Sequence, residues 1–101
     1  MRPPPLQPEE LEMVRSVFRL HPEVKTATLF GSRAKGTLDD RSDVDLVVTG
    51  DVAPLRAEAI AAELEELAMP YRFDIQSLEH IRYRPLLEHI ERVGIRIYPA
   101  A

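Results

Sequence analysis

Two short polar motifs, separated by ten residues, carry the side chains whose types and spacing could do chemistry. The first is Gly31-Ser32, which directly follows an apolar run typical of a β-strand. In such a turn, bare backbone N–H groups and a hydroxyl can bind phosphate oxygens. Arg33 and Lys35 follow and add positive charge beside the turn. The first motif therefore indicates a binding site for phosphate groups.

The second motif is Asp43-Val44-Asp45, which opens another apolar run. In a strand, residues at i and i+2 face the same side, with Cα atoms roughly 6.5–7 Å apart. Two carboxylates placed in this way can share one hard cation. Ser42 precedes the acids and is placed to contact phosphate or the ligands of a metal.

These motifs resemble the minimal nucleotidyltransferase (MNT) family of the polymerase-β-like superfamily, whose pattern is Gly-Ser, ten residues and then Asp-x-Asp. The chain matches that pattern without a gap. The resemblance also implies a third carboxylate on a later strand. Asp74 is the candidate, because polar and apolar residues alternate around it in Arg72-Phe73-Asp74-Ile75-Gln76. Lys35 stands where many members have arginine, and it keeps the charge but loses the bidentate fork.

The resemblance implies transfer of a nucleoside monophosphate to a hydroxyl group. Two Mg²⁺ ions about 3.5–4 Å apart can hold the phosphates and neutralise the charge that develops on the attacking and leaving oxygens. Asp43 and Asp45 would then bind both ions. Asp74 would complete the coordination of the ion that binds the acceptor oxygen, and it would accept the proton of the acceptor. The residues implied to bind the phosphates of ATP are Gly31, Ser32, Arg33, Lys35 and Ser42.

The identity of the acceptor stays open between three readings. In the first, which we favour, small MNT proteins resemble antitoxins that transfer AMP from ATP to a tyrosine of a HEPN-domain toxin. In the second, the acceptor is a small hydroxylated molecule such as an aminoglycoside. In the third, the chain is a non-catalytic module that neutralises a partner by occlusion, although occlusion would leave the repulsion between three converging carboxylates unrelieved.

Length and composition limit the remaining possibilities. A chain of 101 residues suits one domain with a single core, and we expect residues 1–101 to form one nucleotidyltransferase domain with residues 1–7 as a flexible tail. The net charge of −4, with no basic stripe among aromatic residues, disfavours nucleic acid as a partner. The absence of cysteine suits a reducing cytoplasm. We expect neither a membrane span nor a secretory signal. The histidines lack the spacing of metal ligands.

Hydrophobic periodicity predicts an α/β fold, with a mixed sheet of about four strands covered by helices on one side. If the second and third strands are neighbours in register, the three aspartates converge on the open face of the sheet. In chain order, the predicted elements are a helix from Pro8 that ends at His21-Pro22, a strand at Val24–Phe30, a short helix after Gly31-Ser32, a polar loop at Leu38–Ser42, a strand at Asp43–Thr49, a helix at about Ala53–Ala68, a strand at Tyr71–Gln76, a helix at about Pro85–Val93 and an edge strand at Ile95–Tyr98.

Overall fold

The computed structural model describes residues 6–31 and 43–99, which contain four strands, three α-helices and one 3₁₀ turn. The α/β class is confirmed. The predicted short helix after Gly31-Ser32 and the predicted polar loop lie outside the described residues. In chain order the elements are α1 (Pro8–Arg19), β1 (Val24–Phe30), β2 (Val44–Gly50), α2 (Pro54–Glu65), β3 (Phe73–Ser77), the 3₁₀ turn Leu78–His80, α3 (Arg84–Val93) and β4 (Ile95–Tyr98).

The strands form one mixed sheet in the order β3-β2-β1-β4. β1 runs antiparallel to both β2 and β4, whereas β2 and β3 are parallel. A parallel pair needs a crossover connection, and α2 supplies it between β2 and β3. β4 lies at one edge, as predicted, and β3 lies at the other.

The hydrophobic core lies between the sheet and the helices α1 and α2. α1 contributes Val14 and Phe18, and α2 contributes Ile60 and Leu64, all four with no measurable exposure. On the sheet, alternate residues such as Val44, Leu46 and Val48 are buried in the same cluster. The opposite face of the strands is therefore available for the polar side chains that alternate with them.

The amino-terminal segment differs from the prediction at Leu6. We expected residues 1–7 to form a flexible tail, but the side chain of Leu6 is 1% exposed and belongs to the core. The Gln7 N–H donates to Glu10 Oε1 at 2.8 Å, which fixes the entry to α1. An apolar residue just before a helix cap commonly packs against the first turns in this way. Residues 1–5 of the predicted tail lie outside the described part of the chain.

None of the helices in the described ranges is long and apolar enough to cross a membrane.

Candidate active site

Asp45 and Asp74 lie side by side on the neighbouring parallel strands β2 and β3. They are partners in the register of the sheet, which places their Cα atoms about 4.8 Å apart. The residues before and after each of them are buried in the core, so both carboxylates belong to the opposite face. Asp74 is exposed and Asp45 is half-buried. The structure thus brings together two of the three predicted acids through strand pairing alone.

Asp43, the remaining predicted acid, is exposed and immediately precedes β2. Its negative charge acts on Asp45, whose carboxyl pKa is raised above its ordinary value. Burial contributes most to this shift, followed by the negative charges of Asp74 and then Asp43. The three aspartates therefore form one cluster of negative charge centred on Asp45.

Gly31 lies against the same carboxylate. Its φ of +82° is in the left-handed region, which favours glycine over residues with side chains. A Cβ atom built at Gly31 would overlap Asp45 Oδ2 and would lie 3.2 Å from Asp45 Cγ. The backbone conformation thus favours glycine here, and any side chain at this position would in addition displace the Asp45 carboxylate. The predicted phosphate-binding turn therefore begins beside Asp45, one of the predicted metal-binding acids.

The prediction named four phosphate ligands besides Gly31. Ser32, Arg33, Lys35 and Ser42 all lie outside the described residues.

The chemistry of the carboxylates can be compared with the needs of Mg²⁺. Within residues 6–31 and 43–99, no group of three or more His, Cys, Asp or Glu side chains is arranged to hold a metal ion. Mg²⁺, however, is usually bound by one or two carboxylates together with substrate phosphates and water rather than by a cage of protein ligands. An all-oxygen pair such as Asp45 and Asp74, with an excess of negative charge, fits that mode of binding.

The sequence contained no signal that His89 would lie near the carboxylates. Phe30 is the register partner of Asp45 on β1 and therefore lies on the same face. The ring of His89 on α3 meets the Phe30 ring edge-on, with 6.4 Å between the centroids. α3 therefore reaches the face that carries the acids, unlike α1 and α2. Only the tertiary fold brings His89 to this face, because 44 positions of sequence separate it from Asp45.

A cavity of about 320 Å³ also adjoins Asp74 and was not predicted. It lies between β3, the first turns of α2 and the 3₁₀ turn. Besides Asp74, its lining includes the polar side chains of Glu58, Gln76, Ser77 and His80. These residues come from three elements, so sequence spacing could not have grouped them.

Comparison with known proteins places this geometry in a family. Residues 12–100 match the family described as "Polymerase beta, Nucleotidyltransferase". No curated protein matches the chain.

Solved structures share the fold at low sequence identity. A toxin–antitoxin crystal structure with AMP-PNP superposes with a TM-score of 0.74 and 21% identity, over 87% of this chain and 72% of that one. A tri-AMPylated Shewanella oneidensis HEPN toxin in complex with an MNT antitoxin gives a TM-score of 0.71 and 18% identity, over 92% of this chain and 72% of the other. A putative nucleotidyltransferase from Sulfolobus solfataricus gives a TM-score of 0.53 and 17% identity, over 85% and 73%.

The family match covers nearly the whole chain, and it agrees with the arrangement of the Gly31 turn and the aspartates in the sheet. The chain belongs to the polymerase β nucleotidyltransferase family.

Proposed function

We propose that this protein transfers AMP from ATP to a hydroxyl acceptor, and that the acceptor is a tyrosine of a HEPN-domain partner. The observation that carries the proposal is the position of Asp45. It is flanked by the carboxylate of Asp74 on one side and by the turn at Gly31 on the other. A phosphate bound at the turn would therefore lie next to the acidic pair, where an acceptor hydroxyl could attack it.

The reaction we propose is a displacement at the α-phosphorus of ATP. The acceptor oxygen forms a bond to that phosphorus, the bond to the oxygen bridging the α- and β-phosphorus atoms breaks, and pyrophosphate leaves. The proton of the acceptor hydroxyl passes to Asp74, which is exposed and can approach an incoming protein. The N–H groups of the turn at Gly31, together with Ser32, Arg33, Lys35 and Ser42, would hold the phosphates in place.

The proposal includes Mg²⁺, held by Asp43, Asp45 and Asp74 together with phosphate oxygens of the nucleotide. When bound there, Mg²⁺ offsets the negative charge of the reacting phosphate and lowers the pKa of the acceptor hydroxyl. The raised pKa of Asp45 supports this assignment, because a cation would relieve the repulsion that contributes to the shift.

The choice of ATP and of a protein acceptor rests on the structures that share the fold. One of them is a toxin–antitoxin structure with AMP-PNP, an analogue of ATP. Another contains an AMPylated HEPN toxin in complex with its MNT antitoxin. An antitoxin role in the cytoplasm, as part of a complex with such a toxin, is therefore the form of the activity that we propose for this chain.

Intact-mass spectrometry tests this proposal. The purified chain would be incubated with ATP, Mg²⁺ and the protein encoded by the adjacent gene. We expect the neighbour to gain the mass of one or more adenylyl groups, and a variant of the neighbour with its modified tyrosine replaced by phenylalanine to gain none at that position.

Two other results would each contradict the proposal. Silencing of the neighbour without any change in mass would favour neutralisation by occlusion. Transfer of AMP to an aminoglycoside, with none to the neighbour, would favour the small-molecule acceptor.

A further inference from the structure

The outer edge of β3 presents backbone groups that no described strand uses. β3 is the terminal strand of the described sheet and has β2 on one side only. The Val44 N–H donates to the Arg72 carbonyl at 2.8 Å, which shows that the peptide groups of residue 72 face β2. Because these groups alternate along a strand, those of residues 74 and 76 also face β2, and those of Phe73, Ile75 and Ser77 face away from it.

Part of this edge is already occupied by a side chain. The Phe73 N–H donates to Glu65 Oε2 at 2.9 Å, at the carboxyl end of α2. This bond confirms that the odd-numbered residues of β3 direct their N–H groups outward. Ile75 and Ser77, in contrast, line the cavity of about 320 Å³. The part of the edge that pairs with no described strand therefore opens into a cavity rather than onto a packed helix.

Ser77 also has an unused polar group. Its side chain is 4% exposed, and its hydroxyl has no hydrogen-bond partner among the described residues. Leaving a buried hydroxyl without a partner costs stability, so such a group calls for a partner from outside the described residues, such as water or a ligand. Its position in the cavity lining means that a molecule in the cavity could supply the missing partner.

The charge of the cavity indicates what it would bind. Glu58 of α2 and Asp74 of β3 both line it together with His80, and none of the described residues in its lining is a lysine or an arginine. A basic group would complement these carboxylates. The outward N–H and C=O groups of Ile75 and Ser77 are spaced two residues apart, and this is the repeat at which an extended polypeptide forms hydrogen bonds with a strand.

We propose that an extended segment of the acceptor protein, carrying a basic side chain, binds along the edge of β3 by pairing with Ile75 and Ser77. This inference rests on the proposed function, since it identifies how the acceptor is held. The segment would accept a hydrogen bond from, or donate one to, the Ser77 hydroxyl, and its basic side chain would lie near Glu58. The same cavity reaches Asp74, so the segment would approach the residue that takes the acceptor proton.

Amide hydrogen exchange, measured by NMR on the chain alone and in complex with the adjacent-gene protein, tests the pairing directly. We expect the amides of Ile75 and Ser77 to exchange at least about tenfold more slowly in the complex. Asp74 and Gln76 serve as internal controls, because their amides face β2 in both states. A complex in which Ile75 and Ser77 exchange as fast as in the free chain would overturn the proposal.

A charge reversal tests the role of the cavity in turnover. Glu58→Lys should raise the KM for the acceptor protein by about tenfold, with the affinity for ATP unchanged. Glu66→Lys is the matched control, since Glu66 is an exposed residue at the other end of the same helix. Equal effects of the two substitutions would contradict the proposal.

The two proposals fail in different ways. Protection of Ile75 and Ser77 without any transfer of AMP would leave the edge pairing intact and refute the chemistry. Transfer without protection, and with no effect specific to Glu58→Lys, would refute the edge pairing alone. Absence of both a complex and transfer would refute both.

Discussion

Gly31 and Asp45 are in such close contact that a Cβ atom at position 31 would overlap Asp45 Oδ2, so the Asp45 side chain would have to move to admit one. The glycine is the first residue after β1, and Asp45 on β2 is the register partner of the preceding residue, Phe30. The contact joins the turn that would bind phosphate to the acid that would bind a cation. It makes the two motifs of the sequence a single site, although ten residues outside the described part of the chain separate Ser32 from Asp43.

Gly31→Ala should therefore impair both stability and activity. The methyl group would overlap Asp45 and the backbone would be held at a φ of +82°, so we expect a loss of more than about 1 kcal/mol in the free energy of unfolding. Denaturant unfolding measures this loss. The double variant Gly31→Ala/Asp45→Ala should recover part of it, because only the overlap is relieved. Additive losses would show that the contact with Asp45 is not the cause.

Asp45→Asn should stabilise the protein near neutral pH in the absence of divalent cations. The folded-state pKa of Asp45 is raised, first by burial and then by Asp74 and Asp43. The wild-type chain therefore loses stability as the pH rises from the ordinary value of 3.8 through the raised pKa, and the full cost is present above it. Asparagine carries no charge and avoids this cost.

Thermal unfolding at several pH values, without metal, checks this expectation. The variant should melt a few degrees above wild type at pH 7, and the difference should shrink as the pH falls toward 3.8. Asp51→Asn removes an exposed acid outside the cluster and should give no comparable gain. A lower melting temperature for Asp45→Asn at pH 7 would contradict this interpretation of the cluster.

Two serines should respond oppositely to alanine. Ser77 is buried and its hydroxyl has no partner among the described residues, whereas the Ser16 hydroxyl donates to the Met13 carbonyl at 2.6 Å. Ser77→Ala should leave the stability of the free chain unchanged or slightly higher, because no hydrogen bond is lost. Ser16→Ala should lose up to about 1 kcal/mol in denaturant unfolding. A clear loss for Ser77→Ala would show that its hydroxyl is satisfied in the free protein.

His21 should act in folding and not in catalysis. Its Nε2 lies 2.5 Å from Glu63 Oε2 and its Nδ1 lies 3.5 Å from Glu23 Oε2, so it links the end of α1 to α2 and to the segment before β1. We expect His21→Ala to lose roughly 1 kcal/mol of stability with the rate of AMP transfer unchanged. Glu12→Gln, in the exposed pair with Arg19, should lose less. A fall in transfer rate at full folding would assign His21 to the site.

Local patterns in the sequence predicted most of the sheet. The bounds of β1 and β4 agree with the predicted strands, because apolar and polar residues alternate within Val24–Phe30 and Ile95–Tyr98 and turn residues flank both segments. The predicted second strand began one residue early, at Asp43. The predicted third strand began at Tyr71, but the chain enters β3 only at Phe73. Tyr71 instead places its hydroxyl 2.8 Å from Glu10 Oε2 on α1, a contact that no local pattern could indicate.

The carboxyl-terminal end of α2 differs from the prediction for another reason. The predicted helix ran to Ala68 because Pro70 was the first strong stop signal, yet α2 ends at Glu65. Its last turn tightens, with bonds from the Glu66 and Leu67 N–H groups to carbonyls three residues earlier. Leu67 then packs against the core. The end of the helix thus coincides with the packing of partly buried Leu67, which depends on the assembled core.

The candidate site, like the fold, could be predicted from local sequence patterns only in part. Asp45 and Asp74 could be matched from the alternation of polar and apolar residues on two predicted strands, since strand pairing then determines their register. The approach of His89 to Phe30 and the cavity beside Ser77 could not be predicted. Each depends on how a helix or a turn packs across the sheet, and that packing involves residues far apart in the sequence.

The role of Asp74 is the central claim, and the rate of AMP transfer by Asp74→Asn tests it most directly. Transfer to the adjacent-gene protein would be followed by intact-mass spectrometry, and ATP affinity with Mg²⁺ would be measured by calorimetry on the same preparation. We predict that transfer falls by a factor of about 10² or more while much of the ATP affinity remains, because Asp74 takes the acceptor proton and the turn at Gly31 holds the phosphates. Transfer at the wild-type rate would contradict the account.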